Sequence, residues 1–294
     1  MKMEEVTSCP ICQGQHFTPA FACTDFTATR EVFHVKHCTH CGLGITSPRP
    51  LESQVSVYYQ SPEYISHAAG ARGTINSIYL IIRRFTTKWK YRLVAPYLKI
   101  NGLLDYGCGT ASFLAEMKKH SPTIHGIEPS TAARKNIPPG IPVVPALADL
   151  PLQTFDVITL WHVLEHVYTL RETLRQLKQR LSDQGALFIA VPNHLSPDAQ
   201  HYGAHWAAYD VPRHLWHFNQ ASMAALLQQE GLRITHTIPM KLDAFYVSLL
   251  SERYAHPGQP GPISMMKAIW NGIQSNLRAR QSKNFSSLIF VVQK

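Results

Sequence analysis

The sequence predicts an α/β protein in which a doubly wound, seven-stranded and mostly parallel sheet follows a small cysteine-containing module and a helical connector. After Asn101, short apolar runs alternate with helical segments, a rhythm typical of a parallel sheet covered on both faces. The stretch before this rhythm contains two C-x-x-C pairs instead. We therefore predict three units, the last of them with an insertion, over residues 1–50, 51–100 and 101–294 (insertion 192–218).

The composition is that of a folded chain. Of 294 residues, 28 are Lys or Arg, 19 are Asp or Glu and 16 are His, so the formal net charge is +9 with histidine neutral. Apolar residues make up 45% and charged residues 16%, which excludes a disordered chain. Six cysteines are too sparse for a disulfide-stabilised scaffold. The positive charge makes a nucleic acid or an anionic ligand a candidate partner.

Four cysteines of the first unit have the spacing of zinc ligands: Cys9, Cys12, Cys38 and Cys41. Each pair brackets a tight turn and can direct two thiolates at one ion. Four thiolates complete the closed tetrahedral shell of a structural Zn²⁺, so we assign this ion to folding rather than to chemistry. The alternative is that these cysteines are small buried apolar side chains.

The chain is expected to be cytoplasmic. The sequence shows no apolar region of a secretory signal, and its apolar stretches are far shorter than a membrane span. Paired cysteines in such a chain indicate metal ligands rather than disulfides.

Residues 51–100 are expected to be mostly helical, because apolar residues recur at three- and four-residue steps. Basic residues are interleaved with them and have no acidic neighbour: Arg72, Arg83, Arg84, Lys88, Lys90, Arg92 and Lys99. These side chains could follow the phosphates of a nucleic acid. The more common reason for such a run is a solvated helix face.

The third unit begins with a pattern for binding a nucleotide-like ligand. A predicted strand ending at Asp105 runs into a turn that contains Gly107 and Gly109, and a helix follows. Such a turn lets a ligand approach the backbone, and the start of the helix presents free N–H groups. Glu128 ends the next predicted strand, where an acid can bind two ribose hydroxyls.

This stretch resembles motif I of the class I S-adenosylmethionine (SAM)-dependent methyltransferases, D-x-G-x-G-x-G, with Ala111 in the third glycine position. The resemblance extends over roughly residues 101–192. It implies a Rossmann-like methyltransferase fold and SAM as the cofactor. In that family the two glycines approach the methionine part of SAM, the residue corresponding to Asp105 lies beneath it, and the acid corresponding to Glu128 binds the ribose.

The adenine contacts depart from the family pattern. Where the family often places an acid that binds the adenine amine, this chain has Ala146. We expect Asp149 or the backbone at Leu147 to replace that acid. Trp161 is also assigned to the cofactor site.

Candidates for chemistry follow the predicted strand that ends at Leu160. His162, Glu165 and His166 would share one helical face near the carboxyl ends of the strands. The set resembles the Glu-x-x-Glu-His motif of some metal-assisted O-methyltransferases, with His162 in place of the first Glu, which weakens an assignment to Mg²⁺. We expect His162 to act as a general base or substrate ligand and His166 to face the methyl acceptor. Simple packing of the helix is the alternative.

The insertion at 192–218 is rich in aromatic residues and histidine, and its length is typical of a functional lid. His205, Asp210, Arg213 and His214 are expected to face the acceptor. The guanidinium of Arg213 could bind a carboxylate or phosphate, and a histidine could take a proton near neutral pH. Alternatively, Asp210 and Arg213 form a local ion pair that orders the loop.

These observations favour a SAM-dependent methyltransferase that moves a methyl group to an O or C atom of a small or lipid-linked metabolite. Zinc modules at the N-terminus also occur in sugar C-methyltransferases, a resemblance limited to layout. One alternative is an rRNA or tRNA methyltransferase that grips RNA through the zinc module and the basic helix. Another is a non-catalytic module that binds SAM or a partner. The sequence does not indicate an oligomeric state.

Overall fold

The computed structural model describes residues 2–59, 86–121 and 123–294. Part of the predicted connector helix, with the basic residues Arg72, Arg83 and Arg84, lies outside the described residues. The 3-10 helix Glu52–Tyr59 and the helical residues 86–94 (α1) represent the connector. Among the described residues, no helix combines the length and the apolar character that crossing a bilayer requires.

The described strands are β1 (Met3–Glu4), β2 (Phe21–Thr24), β3 (Val32–His37), β4 (Gly44–Thr46), β5 (Arg49–Pro50), β6 (Leu103–Tyr106), β7 (Ile124–Ile127), β8 (Val143–Val144), β9 (Phe155–Trp161), β10 (Leu181–Pro192), β11 (Trp216–His217), β12 (Arg233–Pro239) and β13 (Ser287–Gln293). The helices after α1 are α2 (Ser112–Met117), α3 (Thr131–Arg134), α4 (Leu170–Arg180), α5 (Pro197–Tyr202), α6 (Gln220–Gln229), α7 (Asp243–Ala255) and α8 (Gly261–Ser282). Short 3-10 helices cover Ala95–Tyr97, Leu147–Asp149, Leu164–His166, Gly203–His205 and Ala207–Tyr209.

The large sheet has seven strands in the order β12-β13-β10-β9-β6-β7-β8. The strands from β10 to β8 are parallel, and β13 is antiparallel to both of its neighbours. This confirms the predicted doubly wound, mostly parallel sheet. The order reverses between β6 and β9, and ligands of such sheets bind beyond the carboxyl ends of the strands at this point.

Burial explains why the central strands are continuous apolar runs. β9 and β10 are buried along nearly their whole length, because helices cover both faces of a parallel sheet. On α4, Leu170, Leu174 and Leu177 recur at helical spacing and are buried against this sheet. Each such leucine contributes roughly 1.5–3 kcal/mol relative to an exposed one. The sheet edge that carries the site therefore rests on a packed core.

The insertion 192–218 is built into the N-terminal unit and does not form a separate lid. Its strand β11 extends the sheet of that unit, which has the order β11-β4-β3-β2. Trp216 pairs with Ile45 and His217 with Gly44 in antiparallel register. The predicted N-terminal unit and the insertion thus share one small sheet, which packs against the large sheet.

A buried ion pair joins the insertion to the other two units. The guanidinium of Arg213 is fully buried and donates to Asp25 Oδ1 (2.8 Å), to Asp210 Oδ1 (2.6 Å) and to the carbonyl oxygen of Tyr58 (2.9 Å). It also contacts the hydroxyl of Thr27. Burial alone would raise the pKa of Asp25, but the charge and hydrogen bond of Arg213 hold it below its usual value.

We expect Arg213→Met to destabilise the protein strongly. The substitution keeps an apolar stem and leaves Asp25 and Asp210 without their cation, and removing one partner of a buried pair costs about 3–5 kcal/mol. Urea unfolding measures the change. Arg253→Met, on the exposed side of α7, is the matched control and should change the free energy of unfolding by less than about 0.5 kcal/mol. A loss below about 1 kcal/mol in Arg213→Met would contradict this role.

Candidate functional site

The turn after β6 is shaped to receive a ligand against its backbone. Gly107 and Gly109 have φ angles of +76° and +56°, values that favour glycine. A Cβ atom on Gly107 would lie 2.5 Å from Cγ2 of Val163, so glycine is required there for packing. At Gly109, no described atom lies within 4 Å of the corresponding position, which leaves open space above the turn. Gly107 is therefore needed for close packing against Val163, whereas Gly109 leaves room for a ligand to approach the turn.

Glu128 follows β7 and faces this turn. Its carboxylate accepts hydrogen bonds from the backbone N–H of Gly109 (2.9 Å) and of Ser130 (2.8 Å). These bonds hold both oxygens at the mouth of the turn, and each oxygen keeps further acceptor capacity. A carboxylate placed in this way can receive the hydroxyls of a ribose.

Asp105 lies on β6, just before the turn. It is buried, and the hydroxyl of Thr159 on the neighbouring strand donates to its Oδ1 at 2.7 Å. Burial raises the pKa of Asp105 to about 7, against the opposing effects of Thr159 and of the charge on Lys90. The residue is thus a positioning group just before the glycine turn.

Ala111 occupies the third position of the glycine motif with a φ of +56°. A non-glycine residue in this left-handed region costs on the order of 1 kcal/mol. Its methyl group is completely buried in the apolar cluster that includes Phe113 and Leu114, which offsets part of that cost. Ala111 therefore adopts the left-handed backbone conformation that a glycine would adopt at this position of the motif.

The predicted adenine contacts lie on the 3-10 helix Leu147–Asp149. Asp149 is exposed, and its carboxylate accepts a hydrogen bond from the backbone N–H of Ala146 at 3.1 Å. Leu147 is half-buried and packs against the main core cluster. Both residues follow β8, which is the outermost strand on the cofactor side of the sheet. Their role toward adenine stays a prediction.

Trp161, at the end of β9, lies beside a lysine of the connector. The ammonium of Lys90 is 4.3 Å from the centre of the indole ring, a cation–π contact, and Phe113 meets the same ring edge-on at 5.4 Å. The sequence analysis grouped Lys90 with residues that track phosphates or face solvent. Its position beside Trp161 depends on how α1 docks on the sheet, and no local signal in the sequence indicates that docking.

His162 does not lie on an α-helix. Its φ of +57° turns the chain directly after β9, and only the 3-10 helix Leu164–His166 follows. The ring lies between two carboxylates, with Nε2 3.2 Å from Asp243 Oδ2 and Nδ1 3.5 Å from Glu165 Oε1. Burial lowers the pKa of His162, but these carboxylates outweigh it and raise the pKa to about 9.

His162 therefore carries a proton at neutral pH in this arrangement, which does not suit the predicted role of general base. The role of substrate ligand stays a prediction. Asp243 begins α7 and was not among the predicted site residues. Its distance from His162 along the chain explains why sequence reasoning missed it.

Glu165, His166 and His214 come together from two segments of the chain. One nitrogen of each ring and one oxygen of Glu165 lie within 4.8 Å of one another. The rings of His166 and His214 are 4.6 Å apart and edge-to-face. Burial and the charge of His214 lower the pKa of His166 to about 4. Tyr59, another residue that the sequence analysis missed, lies 3.1 Å from Nδ1 of His166 through its hydroxyl.

Three predicted acceptor contacts have other positions. Arg213 and Asp210 form the buried ion pair described above, so the guanidinium does not face an accessible acceptor site. This is the local ion pair that the sequence left open as an alternative. His205 is exposed, and its ring contacts Phe26 of the N-terminal unit at 5.8 Å. No contact of His205 with the Glu165 cluster is present among the described residues.

The four predicted zinc ligands converge. All four sulfur atoms lie within 4.8 Å of one another, with Cys9 Sγ 3.5 Å from Cys41 Sγ and Cys12 Sγ 3.4 Å from Cys38 Sγ. Sulfur atoms about 2.3 Å from one tetrahedral ion lie roughly 3.8 Å apart, so the arrangement fits Zn²⁺.

The second cysteine turn is anchored to the large domain. Gly42, with a φ of +73°, directs its carbonyl oxygen to the side-chain amide of Asn219 (2.9 Å) and to Nε2 of His194 (3.1 Å). Asn219 also caps α6 through its side chain. The N-terminal unit thereby contacts the start of α6, a helix of the third unit.

Residues 83–237, more than half of the chain, match a family model described as a methyltransferase domain. No curated protein matches the sequence.

Several solved structures are similar to this chain. A protein described as a sarcosine dimethylglycine methyltransferase from Galdieria sulphuraria is 10% identical, with 79% of this chain and 97% of that chain covered and a TM-score of 0.50. A SAM-dependent methyltransferase from Archaeoglobus fulgidus is 17% identical, with 72% and 94% covered and a TM-score of 0.48. Coclaurine N-methyltransferase, bound to N-methylheliamine and SAH, is 12% identical, with 71% of each chain covered and a TM-score of 0.47.

The likeness to the protein from Galdieria sulphuraria, at 10% identity, concerns the fold alone. The family match, unlike the similarity of fold, shows which family this chain belongs to. It spans the glycine turn, Glu128 and the segment after β9, which are the parts that the geometry places at one sheet edge. The chain belongs to the methyltransferase domain family and is a class I SAM-dependent methyltransferase.

Proposed function

We propose that this methyltransferase moves a methyl group from SAM to an oxygen or carbon atom of a small or lipid-linked metabolite. The observation that carries the proposal is the position of two groups of residues at one edge of the sheet. The glycine turn and Glu128 follow β6 and β7, and the polar cluster around His162 and Glu165 follows the adjacent β9. Cofactor and acceptor would thus meet beside the switch point.

On the cofactor side, the open space above Gly109 would receive the methionine part of SAM. Glu128 would bind the ribose hydroxyls, and Asp149 or the backbone at Leu147 would meet the adenine. When bound, SAM supplies an electrophilic methyl group on a sulfonium centre. The chain's own contribution is alignment of the acceptor with that group.

We add Lys90 and Trp161 to the proposed cofactor contacts. The ammonium of Lys90 lies over the indole and near enough to Asp105 to lower its pKa. A cation at this place can bind the carboxylate of the methionine part, while the indole supplies an apolar wall. This role replaces the prediction that Lys90 belongs to a phosphate-tracking surface.

On the acceptor side, His162, His166 and His214 are the proposed contacts. Part of the His162 ring is exposed, whereas Glu165 behind it is buried. Asp210 and Arg213 act on this side only through the position of His214, which follows Arg213 directly. The acceptor would bind between these rings and the bound cofactor.

We assign the cysteine cluster to one structural Zn²⁺ ion. Four thiolates leave no open position, and the cluster holds the turn whose carbonyl meets Asn219 and His194. Paired cysteines that bind a metal are typical of proteins in reducing compartments, which supports the expected cytoplasmic location.

The RNA alternative rests on the basic residues of the connector. Among the described ones, Lys90 contacts Trp161, whereas Lys88, Arg92 and Lys99 are exposed. Only a measurement of methyl-transfer activity distinguishes the non-catalytic alternative from the two methyltransferase functions. One experiment decides among the three.

Methyl-labelled SAM, incubated with the protein and fractionated cell extract, should transfer label to small molecules or lipids. Transfer to RNA that fails at high salt would favour the RNA alternative, because phosphate contacts weaken steeply with salt. Absence of label in every fraction, despite measurable SAM binding, would favour the non-catalytic alternative.

Glu128→Gln should weaken SAM binding by about 10- to 100-fold, because a hydrogen bond to a charged acceptor contributes roughly 1.5–3 kcal/mol. Isothermal titration calorimetry with SAM measures the change. Glu172→Gln, an exposed carboxylate on α4, is the control and should keep the wild-type affinity. Equal SAM affinity in Glu128→Gln and the wild type would refute the proposed ribose contact.

Cys41→Ser should lose the bound zinc and several kcal/mol of stability, since structural zinc contributes roughly 10 kcal/mol or more of binding free energy in isolated modules. Elemental analysis should find one Zn²⁺ per chain at this cluster in the wild type. Cys23→Ala, a buried cysteine outside the cluster, should retain that ion. Full zinc content in Cys41→Ser would contradict the assignment.

A further inference from the structure

Glu165 is a buried acid whose carboxylate lacks hydrogen bonds. Its side chain is 1% exposed, and neither oxygen has a hydrogen-bond partner among the described residues. Its charged neighbour is the ring of His162, with Nδ1 at 3.5 Å from Oε1, longer than an ordinary hydrogen bond. This ion pair leaves both oxygens of a buried carboxylate without hydrogen bonds, which is costly, so the surroundings of Glu165 point to a further cation.

In the two neighbouring histidines, His166 and His214, a backbone carbonyl group determines which ring nitrogen carries the proton. Nδ1 of His166 lies 3.0 Å from the carbonyl oxygen of Arg213, and Nδ1 of His214 lies 2.8 Å from that of Ala208. A carbonyl can only accept, so each Nδ1 must carry a proton and donate it. In the neutral ring, Nε2 then keeps its lone pair.

This is the arrangement that metal-binding histidines show. Such a ring almost always donates its other N–H to a carbonyl or carboxylate, which fixes the tautomer and the orientation. Nε2 of His214 lies 3.9 Å from Asp210 Oδ2, beyond hydrogen-bond distance. Asp210 is already paired with Arg213, so it does not take the place of a ligand.

The donor atoms are close to the spacing of a metal shell. One oxygen of Glu165 and one nitrogen each of His166 and His214 lie within 4.8 Å of one another. Donors about 2.1 Å from a common ion are roughly 3.4–4.2 Å apart, so metal binding requires side-chain rotations that bring both Nε2 atoms and one oxygen of Glu165 to this spacing.

We propose that Glu165, His166 and His214 form a site for a divalent transition-metal ion, separate from the cysteine cluster. Two imidazoles and one carboxylate suit ions such as Zn²⁺, Fe²⁺ or Mn²⁺, whereas Mg²⁺ and Ca²⁺ prefer shells of oxygen. This chemistry differs from the Mg²⁺ site that the Glu-x-x-Glu-His resemblance suggests. His162, which replaces the first Glu of that motif, lies next to the site and is not one of its three ligands.

Three protein ligands leave the ion at least one open position. If the proposed function holds, an oxygen atom of the methyl acceptor would occupy that position, near the carboxyl end of β9. The site would then orient the acceptor toward the cofactor edge. Metal binding itself does not depend on that role.

Titration with Mn²⁺, in the absence of SAM and acceptor, of protein that carries one Zn²⁺ per chain and from which excess zinc has been removed, tests the site. Mn²⁺ is the probe because thiolates select zinc over it, so the cysteine cluster stays closed to it. The free Mn²⁺ signal in electron paramagnetic resonance should report one bound ion per chain. An excess of Mg²⁺ should not displace it.

Glu165→Gln and His214→Gln should each weaken Mn²⁺ binding at least tenfold, as expected for loss of a ligand when loss of an outer partner already costs about 10- to 100-fold. Glu172→Gln should bind Mn²⁺ as the wild type does. Mn²⁺ affinity that is the same in the wild type and in Glu165→Gln, or no bound ion in the wild type, would overturn the proposal.

A measurement on the wild type alone covers the case of misfolded variants. Bound Mn²⁺ should broaden the ring-proton signals of His162, His166 and His214 in the NMR spectrum, and leave those of the exposed His236 sharp. Uniform broadening of all histidine signals would contradict a single site. Glu128→Gln should lose SAM affinity but keep the Mn²⁺ site, so failure of either proposal is recognisable by itself.

Discussion

The guanidinium of Arg213 is the constraint on which the acceptor side of the molecule depends. A buried cation must be fully paired, and three units of the chain supply its partners: Asp25 of the N-terminal unit, the carbonyl of Tyr58 in the connector, and Asp210 of the insertion. Neighbours of these residues build the polar cluster. His214 follows Arg213, and the hydroxyl of Tyr59 and the carbonyl of Arg213 both lie at Nδ1 of His166.

The cofactor side depends on a different constraint, which is the steric freedom of glycine. The turn after β6 must come close to the segment after β9, and only Gly107 permits the contact with Val163. The same turn offers its next glycine N–H to Glu128 on the adjacent strand. The proposed cofactor and acceptor sites thus follow neighbouring strands and depend on different residues, so we expect substitutions to disturb one without the other.

Sequence reasoning identified the parts that depend on local geometry. The glycine turn, the strand that precedes it and the paired cysteines are readable because backbone sterics and ligand spacing act over a few residues. The seven-stranded sheet was also predicted, since apolar runs alternate with helical segments. The predicted helical face of His162 was wrong, because that residue turns the chain with a positive φ. Asp243 and Tyr59 were missed, and Lys90 was interpreted as part of a solvated or phosphate-tracking helix face, since each takes its position through packing of distant segments.

A crystal structure with S-adenosylhomocysteine tests the central claim most directly. The account predicts the ribose on Glu128, the amino-acid part above Gly109, and the sulfur atom directed toward the cluster of His162, His166 and His214. Binding of the ligand at any other place, or with its sulfur atom turned away from that cluster, would contradict the account.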